Sequence, residues 1–249
     1  MKKVLFLCGG SSDLGRTLIR RVYGEYDVIL AHYCRHEEGL ARLKEELEEE
    51  QGIRDRLVLL QGDLSSREDI ARLTETCRQQ EMMPTHFVYF PARQVKIEKF
   101  HKMKWEDMEA DLSLQLRGAV LMLQQFLPAM AKGRYGKVVL TLSSCTAGTP
   151  PRYWTAYTTV KYAMLGLMKS LAAEYADKGV RVNGISPSMI DTEFVAGLPH
   201  LILEQNQAEH PLKRLARPED VAGVIQMLLS EQGDYISGEN ILISGGSVM

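Results

Sequence analysis

The chain has 249 residues, of which 45% are apolar and 25% charged, and its formal net charge is −2. These fractions are those of an ordinary globular protein and exclude a disordered or fibrous chain. The near-neutral charge lacks the basic footprint of a protein that binds nucleic acid or an anionic membrane. No apolar stretch approaches the roughly 18 residues that cross a bilayer. We therefore expect a soluble protein without nucleic-acid or membrane partners.

The cysteines and histidines show no metal-ligand pattern. The four cysteines are scattered, without a CxxC pair or a Cys/His cluster, and the six histidines have no metal-ligand spacing. We therefore predict no metal site and no disulfide framework, and reduced thiols in the cytoplasm are the simplest interpretation. The apolar run at the start stops at Gly9 and Gly10, too early for a signal peptide, and predicts a first strand.

Short β-branched runs alternate with longer amphipathic stretches along the whole chain. The predicted strands cover residues 4–8, 28–33, 57–61, 86–90, 137–142, 180–185 and 240–243. The predicted helices cover residues 14–23, 37–51, a stretch from a cap at Ser65 or Ser66 to about 80, about 105–130 with a break near Pro128, 156–176 and 218–229. This alternation predicts one doubly wound α/β domain, residues 1–249, with a seven-stranded parallel sheet and helices on both faces. In such folds ligands bind beyond the carboxyl ends of the strands.

The first of those strand ends carries a glycine-rich turn. The segment CGGSSDLG, residues 8–15, leads directly into a predicted helix. Glycines let the backbone approach a diphosphate, and a helix N-terminus supplies free N–H groups and the positive end of the helix dipole. A plain glycine-rich turn would have the same sequence, so this motif alone leaves both interpretations open.

A second group of polar residues follows the fifth predicted strand. Ser144 comes just after it, Tyr157 stands thirteen residues further on, and Lys161 follows four residues later. At this spacing on a helix, Tyr157 and Lys161 share one face. The ammonium would lower the pKa of the tyrosine from about 10 toward neutrality, which suits a general acid–base group. A Tyr/Lys pair at this spacing is also common by chance.

These motifs together resemble the short-chain dehydrogenase/reductase superfamily over the full length of the chain. The glycine turn resembles TGxxxGxG, and residues 157–161 (YTTVK) match YxxxK, with Ser144 at the usual separation from the tyrosine. Residues 61–64 (QGDL), 181–192 (RVNGISPSMIDT) and 235–246 (YISGENILISGG) resemble three further family segments. The resemblance implies a Rossmann fold, and the subfamily most similar is the 3-oxoacyl-[acyl-carrier-protein] reductase type.

The resemblance implies that the chain reduces a ketone to a secondary alcohol, with a 3-oxoacyl thioester or similar apolar carbonyl compound as substrate. Tyr157 would donate the proton and Ser144 would polarise the carbonyl oxygen. Lys161 would bind the nicotinamide ribose and lower the tyrosine pKa. Gln115 stands where an asparagine often links a water relay to the lysine. The cofactor itself supplies the hydride.

The resemblance also implies a set of cofactor-binding residues. They are Gly9, Ser11, Ser12, Asp13, Leu14, Gly15, Arg35, Asp63, Leu64, Pro91, Ala92, Tyr157, Lys161, Pro187, Ser188, Ile190 and Thr192. A carboxylate at the end of the second strand selects NAD, whereas an arginine selects the 2′-phosphate of NADP. Residues 31–36 (AHYCRH) contain no acid, so Arg35 favours NADP(H) over NAD(H), unless it is a solvated loop arginine.

Several positions depart from the family pattern. Asp13 and Ser188 stand where glycines are usual, and residues 90–93 (FPAR) replace the family's NNAG. A carboxylate at Asp13 would be unfavourable beside a diphosphate unless it points away. The alternative hypothesis is therefore a cofactor-impaired homologue that acts as a structural or regulatory subunit of a hetero-oligomer.

The substrate side and the assembly are predicted from less specific features. Residues 191–212 are expected to form a variable lid. Family relatives pair two long helices, here about 105–130 and 156–176, so a homo-tetramer or homo-dimer is expected. Arg134 and Lys178 lie on segments that are basic in acyl-carrier-protein reductases, and they would meet an acidic carrier unless they are ordinary surface residues. The apolar lining expected for the lid is Phe194, Val195, Leu198, Leu201 and Ile202.

Overall fold

The computed structural model describes residues 2–248, which contain one sheet of seven parallel strands. The strands are β1 (Val4–Cys8), β2 (Val28–Tyr33), β3 (Leu57–Gln61), β4 (His86–Tyr89), β5 (Gly136–Thr141), β6 (Val180–Pro187) and β7 (Asn240–Ile243). Their order across the sheet is β3-β2-β1-β4-β5-β6-β7. The predicted doubly wound α/β fold is confirmed.

The helices fill the connections between these strands. They are α1 (Asp13–Val22), α2 (Glu38–Gln51), α3 (Arg67–Gln79), α4 (Trp105–Asp111), α5 (Gly118–Lys132), α6 (Thr155–Tyr175), α7 (His200–Glu209) and α8 (Pro218–Leu229). Side-chain caps fix two of the starts, since Ser12 accepts a hydrogen bond from the Gly15 N–H and Ser66 accepts one from the Asp69 N–H. Of the two predicted caps for α3, the structure uses Ser66.

Alternate residues of the central strand face two separate apolar cores. Val4 and Phe6 of β1 pack with α3, α5 and α6, whereas Leu5 and Leu7 pack with α1, α2 and α8. Successive side chains of a strand point to opposite faces of the sheet. Burial on both faces explains why β1 (VLFLC) is apolar throughout rather than alternating.

The strand order reverses between β1 and β4. From β1 the chain proceeds outward through β2 to β3 and then returns to β4, on the other side of β1. The connections from the carboxyl ends of β1 and β4 therefore lead away from each other and leave a crevice. Gly9 and Phe90, which directly follow these two strands, line this crevice.

The long helix predicted over 105–130 is divided in the structure. A π-helical segment (Leu112–Arg117) separates α4 from α5, and α5 continues through Pro128 to Lys132, so the predicted break at Pro128 is wrong. A proline removes one N–H and displaces the carbonyl four residues earlier. Gln124 and Pro128 both lie on the exposed side of α5, where the freed carbonyl is not buried in the core, and the helix persists.

Among the helices described between residues 2 and 248, none combines the length and the apolar character needed to cross a membrane. Within the same residues, no three His, Cys, Asp or Glu side chains are grouped so as to hold a metal ion. The four cysteines are free thiols, of which Cys34 is exposed and the other three are buried.

Candidate active site

A cleft of about 2340 Å³ opens at the carboxyl edge of the sheet. Most of the predicted catalytic and cofactor-binding residues line it, whereas Gly15 and Gln115 are buried and do not. The predicted residues that line the cleft are Gly9, Ser11, Ser12, Asp13, Leu14, Arg35, Asp63, Leu64, Pro91, Ala92, Ser144, Tyr157, Lys161, Pro187, Ser188, Ile190 and Thr192. The topology therefore brings residues from across the sequence to one site.

The glycine-rich turn lies between β1 and α1. Gly9 has a φ of +82°, and a Cβ atom on Gly15 would lie only 2.4 Å from the carbonyl oxygen of Gly9. Position 15 therefore accommodates only glycine. The Ser12 hydroxyl accepts a hydrogen bond of 3.1 Å from the Gly15 N–H. A turn packed this closely onto a helix N-terminus fits the diphosphate of a dinucleotide.

His32, in β2, supports the back of this turn. Its Nδ1 accepts a hydrogen bond from the Gly9 N–H at 3.3 Å, and its Nε2 donates to the Gly62 carbonyl at 2.9 Å. These two bonds together require the neutral ring with its hydrogen on Nε2. Burial lowers the pKa of His32 to about 4, so the neutral ring persists at neutral pH.

Tyr157 and Lys161 lie one turn apart on α6, as predicted. Lys161 is 2% exposed, and its ammonium lies 5.5 Å from the centroid of the Tyr157 ring. The same ammonium donates a hydrogen bond of 3.0 Å to the carbonyl oxygen of Thr141, at the end of β5. Burial lowers the pKa of Lys161 to about 8.

The pKa of Tyr157 is raised above its ordinary value, whereas the sequence predicted that it would be lowered. Burial raises it, while a hydrogen bond with Ser143 acts in the lowering direction. The predicted lowering by Lys161 is wrong for this structure, because desolvation of the phenolate dominates and the Lys161 ammonium, hydrogen bonded to Thr141, does not shift this pKa. The Tyr157 hydroxyl is therefore held in its neutral form, which can donate a proton.

Of the two neighbouring serines, Ser143 is the one whose hydroxyl acts to lower the pKa of Tyr157. Ser143 is buried, and its Oγ also accepts from the Cys145 N–H at 3.3 Å. Ser144 lines the same cleft but begins a short 3₁₀ turn, Ser144–Thr146. The separation from Tyr157 predicts Ser144, and this assignment stays a prediction, because both serines line the cleft.

Residues 22–247 match the family model described as enoyl-(acyl carrier protein) reductase, which is a model of short-chain dehydrogenases/reductases. The chain belongs to this family. It is therefore an oxidoreductase of the short-chain dehydrogenase/reductase type, as the sequence motifs predicted.

Two relatives and one solved structure illustrate the similarity. The uncharacterized oxidoreductase YmfI of Bacillus subtilis is 26% identical over 246 residues, which cover 99% of each chain. The 3-oxoacyl-[acyl-carrier-protein] reductase FabG of Aquifex aeolicus is 37% identical over 147 residues, which cover 59% of each chain. A 3-oxoacyl-[acyl-carrier protein] reductase of Brucella melitensis with bound NAD superposes with a TM-score of 0.84 at 24% identity, covering 99% of this chain and 91% of that chain.

This short-chain dehydrogenase/reductase carries Asp13 at a glycine position of the turn. Its Oδ1 accepts a hydrogen bond of 2.7 Å from Arg16 Nη2, and its Oδ2 accepts one of 3.0 Å from the backbone N–H of Glu193. Both carboxylate oxygens are thus engaged by the chain itself. The position in the first turn of α1 further stabilises the negative charge.

Residues 90–93, which replace the family's NNAG, pack on the glycine turn. A Cβ atom on Gly9 would lie 3.3 Å from Phe90 Cβ and 3.6 Å from Pro91 Cδ. The Phe90 N–H donates to the Cys8 carbonyl at 3.1 Å, and the missing N–H of Pro91 falls after β4 has ended at Tyr89. The substituted segment therefore costs the sheet no ladder hydrogen bond.

Gln115 lies in the π-helical segment and is 1% exposed. Its Nε2 donates a weak hydrogen bond of 3.3 Å to Asp111 Oδ1, and its Oε1 has no partner among the described residues. Burial raises the pKa of Asp111, although the positive charges of Arg93 and Lys161 act against this. The buried Gln115 and the half-buried Asp111 thus form a polar pair whose carboxyl interacts electrostatically with the lysine.

Arg35 is exposed on the rim of the cleft beyond β2, where His36 and Arg42 also line it. This is the place expected for a group that selects between the two dinucleotides. The structure thus puts Arg35 at the cleft, and the preference for NADP(H) stays a prediction.

The lid begins where β6 ends. Ile190 pairs with Ala216 in an isolated parallel bridge, and the Thr192 hydroxyl donates to the Ile190 carbonyl at 3.2 Å. The lid contains α7, which was not among the predicted helices. Phe194, Val195 and Leu198 line the cleft, whereas Leu201, 64% exposed, and Ile202 do not, so the predicted lining is wrong for these two. Leu201 and Ile202 lie in the first turn of α7 on sides that do not line the cleft, whereas Asn206 of the same helix does.

Three residues of the site were not predicted. Ser143 is the neighbour of the predicted Ser144, and the Ser-Ser doublet in the sequence is the signal that either hydroxyl could serve the site. His32 interrupts the apolar run of β2 (VILAHY), which is a signal for a buried polar contact. Asp111 stands four residues before Gln115, a spacing that places the two on one helical face.

Proposed function

We propose that the chain is an NADP(H)-dependent reductase that converts a ketone to a secondary alcohol. The observation that carries the proposal is that Tyr157, Lys161 and the hydroxyls of residues 143–144 line the same cleft as the glycine-rich turn. The proposed substrate is a 3-oxoacyl thioester or similar apolar carbonyl compound. The relatives named as 3-oxoacyl reductases and the apolar side chains Phe194 and Leu198 support that class.

The glycine turn supports a dinucleotide cofactor. The contact of Gly15 with Gly9 and the Ser12 cap form a cradle for the diphosphate. When bound, a nicotinamide supplies the hydride. Arg35 favours the form with a 2′-phosphate. The other residues proposed to hold the cofactor are Ser11, Leu14, Asp63, Leu64, Pro91, Ala92, Pro187, Ser188, Ile190 and Thr192.

Tyr157 holds the proton in the proposed reaction. Because burial raises the pKa of its hydroxyl, the group is protonated at neutral pH and donates to the carbonyl oxygen as negative charge develops there. A serine hydroxyl donates a second hydrogen bond to that oxygen, and we favour Ser143 because its hydroxyl acts to lower the pKa of Tyr157. Lys161 has N–H donors beyond the one bonded to Thr141, and it binds the ribose with them.

The proposal includes a homo-tetramer or homo-dimer formed through α4, α5 and α6. Trp105, 59% exposed, and Tyr162, 45% exposed, support this surface. Arg134 and Lys178 precede β5 and β6, so they lie at the amino edge of the sheet, opposite the cleft. An acidic acyl carrier bound there would therefore serve the cleft of a neighbouring subunit. We also propose the cytoplasm as the compartment, because the four cysteines are free thiols.

Titration of the purified protein with NADPH and with NADH tests the cofactor. Micromolar binding of NADPH with much weaker binding of NADH supports the proposal. No binding of either dinucleotide at millimolar concentration overturns it and favours the alternative, a cofactor-impaired subunit of a hetero-oligomer. The observation in favour of that alternative is the carboxylate of Asp13 at the turn.

A Tyr157→Phe variant tests the proton donor. We expect it to abolish reduction of a 3-oxoacyl thioester and to leave the Kd for NADPH within about twofold, because the ring keeps its packing while the hydroxyl is lost. Reduction at the wild-type rate would show that another group supplies the proton.

A further inference from the structure

We propose that Asp13 is a latch that ties the start of the lid to the cofactor-binding turn, in competition with the diphosphate of the dinucleotide. The inference rests on the proposed function for the identity of the competing anion. The tie itself is a property of the chain alone. Asp13 is a positioning residue in this proposal, since it acts through the lid and through the field at the helix N-terminus.

The latch is a continuous set of hydrogen bonds. Arg16 donates through Nη1 to the Ser11 carbonyl and through Nη2 to Asp13 Oδ1 at 2.7 Å. Asp13 Oδ2 in turn accepts the Glu193 backbone N–H at 3.0 Å, a contact between residues 180 positions apart. The turn, the first turn of α1 and the first residues of the lid are thereby connected through one carboxylate.

The same carboxylate lies where an anionic ligand is expected. Asp13 is the first residue of α1, and Ser12, Asp13 and Thr192 line one cleft. A helix N-terminus stabilises one nearby anion, and a second negative charge close to the first is repelled. The turn therefore stabilises a bound diphosphate most strongly when the Asp13 charge is absent or displaced. Displacing it releases the Glu193 N–H and with it the start of the lid.

Two substitutions distinguish the effect of the Asp13 charge from the effect of its hydrogen bond with the Glu193 N–H. Asp13→Asn removes the charge but keeps one oxygen that can accept the Glu193 N–H, whereas Asp13→Ala removes both. Glu193→Gln is the matched control, because it removes one negative charge from the same cleft lining and keeps the backbone donor. We expect the turn and α1 to keep their packing in all three variants, because Asp13 is only partly buried and Glu193 is exposed.

Hydrogen exchange of the peptide that contains Glu193 tests the tie in the absence of any dinucleotide. We expect the Glu193 amide to exchange at least about fivefold faster in Asp13→Ala than in the wild type, with Asp13→Asn and Glu193→Gln close to the wild type. Equal exchange in the wild type and Asp13→Ala overturns the latch.

Titration with NADPH tests the competition. We expect Asp13→Asn and Asp13→Ala to bind about tenfold more tightly than the wild type, and Glu193→Gln to differ by less than twofold. Unchanged or weaker binding by both Asp13 variants overturns the competition. Failure of every variant to bind either dinucleotide overturns the proposed function and the competition together, while the exchange result still decides the tie.

Discussion

At the scale of one residue, the buried ammonium of Lys161 leads to a prediction about how stability depends on pH. Folding lowers its pKa from about 10.5 to about 8, so the charged form is disfavoured in the folded protein. The unfolded chain binds more protons between these values, and the wild type therefore loses stability as the pH falls from about 10.5 to about 8. Below pH 8 the folded protein carries the full free-energy cost of burying the Lys161 ammonium.

A Lys161→Met variant removes that cost together with one hydrogen bond to Thr141. At pH 7 we expect the variant to be more stable than the wild type by about 2 kcal/mol, a shift of about 2.5 pKa units less one hydrogen bond. The advantage disappears as the pH approaches 10.5. Denaturant unfolding from pH 7 to 10.5 measures it, and the exposed Lys169→Met serves as the control. A variant less stable than the wild type at pH 7 would contradict the burial argument.

The serine doublet gives a second residue-scale prediction. We expect Ser143→Ala to lower kcat for a ketone substrate by about 100-fold, because one hydrogen bond to the developing oxyanion is lost, and Ser144→Ala to lower it by less than fivefold. The two variants are matched in size and position, so each controls for the other. Steady-state kinetics at saturating NADPH distinguishes them, and the opposite ranking would restore the assignment made from the sequence.

What the sequence could predict at this scale was residue type and rough position. It identified Tyr157 and Lys161 because a spacing of four places two side chains together on any helix. It selected Ser144 by its separation from Tyr157, although Ser143 lines the same cleft because both serines follow the end of β5 at Thr141. It also gave the wrong direction for the Tyr157 pKa, because desolvation depends on packing from several distant elements.

At the scale of elements, His32 couples β2 to the glycine turn and predicts an acid-sensitive connection. Its pKa falls from about 6.5 in the unfolded chain to about 4 on folding. The unfolded chain therefore takes up the proton first, and stability present above pH 6.5 is lost as the pH falls toward 4. The expected loss from His32 is up to about 3 kcal/mol.

A His32→Gln variant tests this contribution. We expect its unfolding free energy to fall less steeply between pH 6.5 and 4 than that of the wild type. The remaining slope in this range comes largely from His86, whose pKa burial lowers to about 3. If the unfolding free energies of the two proteins fell equally steeply, His32 would have the same pKa in the folded protein as in the unfolded chain. Chemical denaturation at half-unit pH steps provides the measurement.

The strands were the elements most accessible to prediction. Their bounds agree with the sequence pattern to within two residues, because strands buried on both faces are short apolar runs between turn residues. The π-helical segment was not accessible, since a shift from i→i+4 to i→i+5 bonding leaves no composition signal. The lid helix α7 was missed for a related reason: its apolar residues do not mark one face, and all its residues are partly or fully exposed.

At the scale of the whole molecule, α6 predicts how copies of the chain associate. Gly166 lies on its exposed side, and a Cβ atom there would meet no atom of residues 2–248 within 4 Å. Gly166→Arg is therefore accommodated by the monomer, and arginine is also the better helix former. In a helix-paired dimer or tetramer the same side chain would bury a charge at the contact.

We expect size-exclusion chromatography with light scattering to give a dimer or tetramer for the wild type and a species of 28.1 kDa for Gly166→Arg. Glu45→Arg, on the exposed face of α2, introduces the same side chain elsewhere and should leave the assembly unchanged. A monomeric wild type would remove the basis for pairing through α6.

The strand order has a consequence for how the chain acquires its structure during synthesis. All six strand pairings are parallel, so each needs a crossover and none can form as a local hairpin. The first half-sheet, β3-β2-β1-β4, is complete once residue 89 has left the ribosome, but one side of β4 (HFVY) then has no neighbour until β5 emerges some fifty residues later. An unpaired apolar strand edge is a site of self-association. Pauses in translation that leave β4 outside the ribosome and β5 still inside it should therefore lower the yield of native protein more than pauses after β5 has emerged.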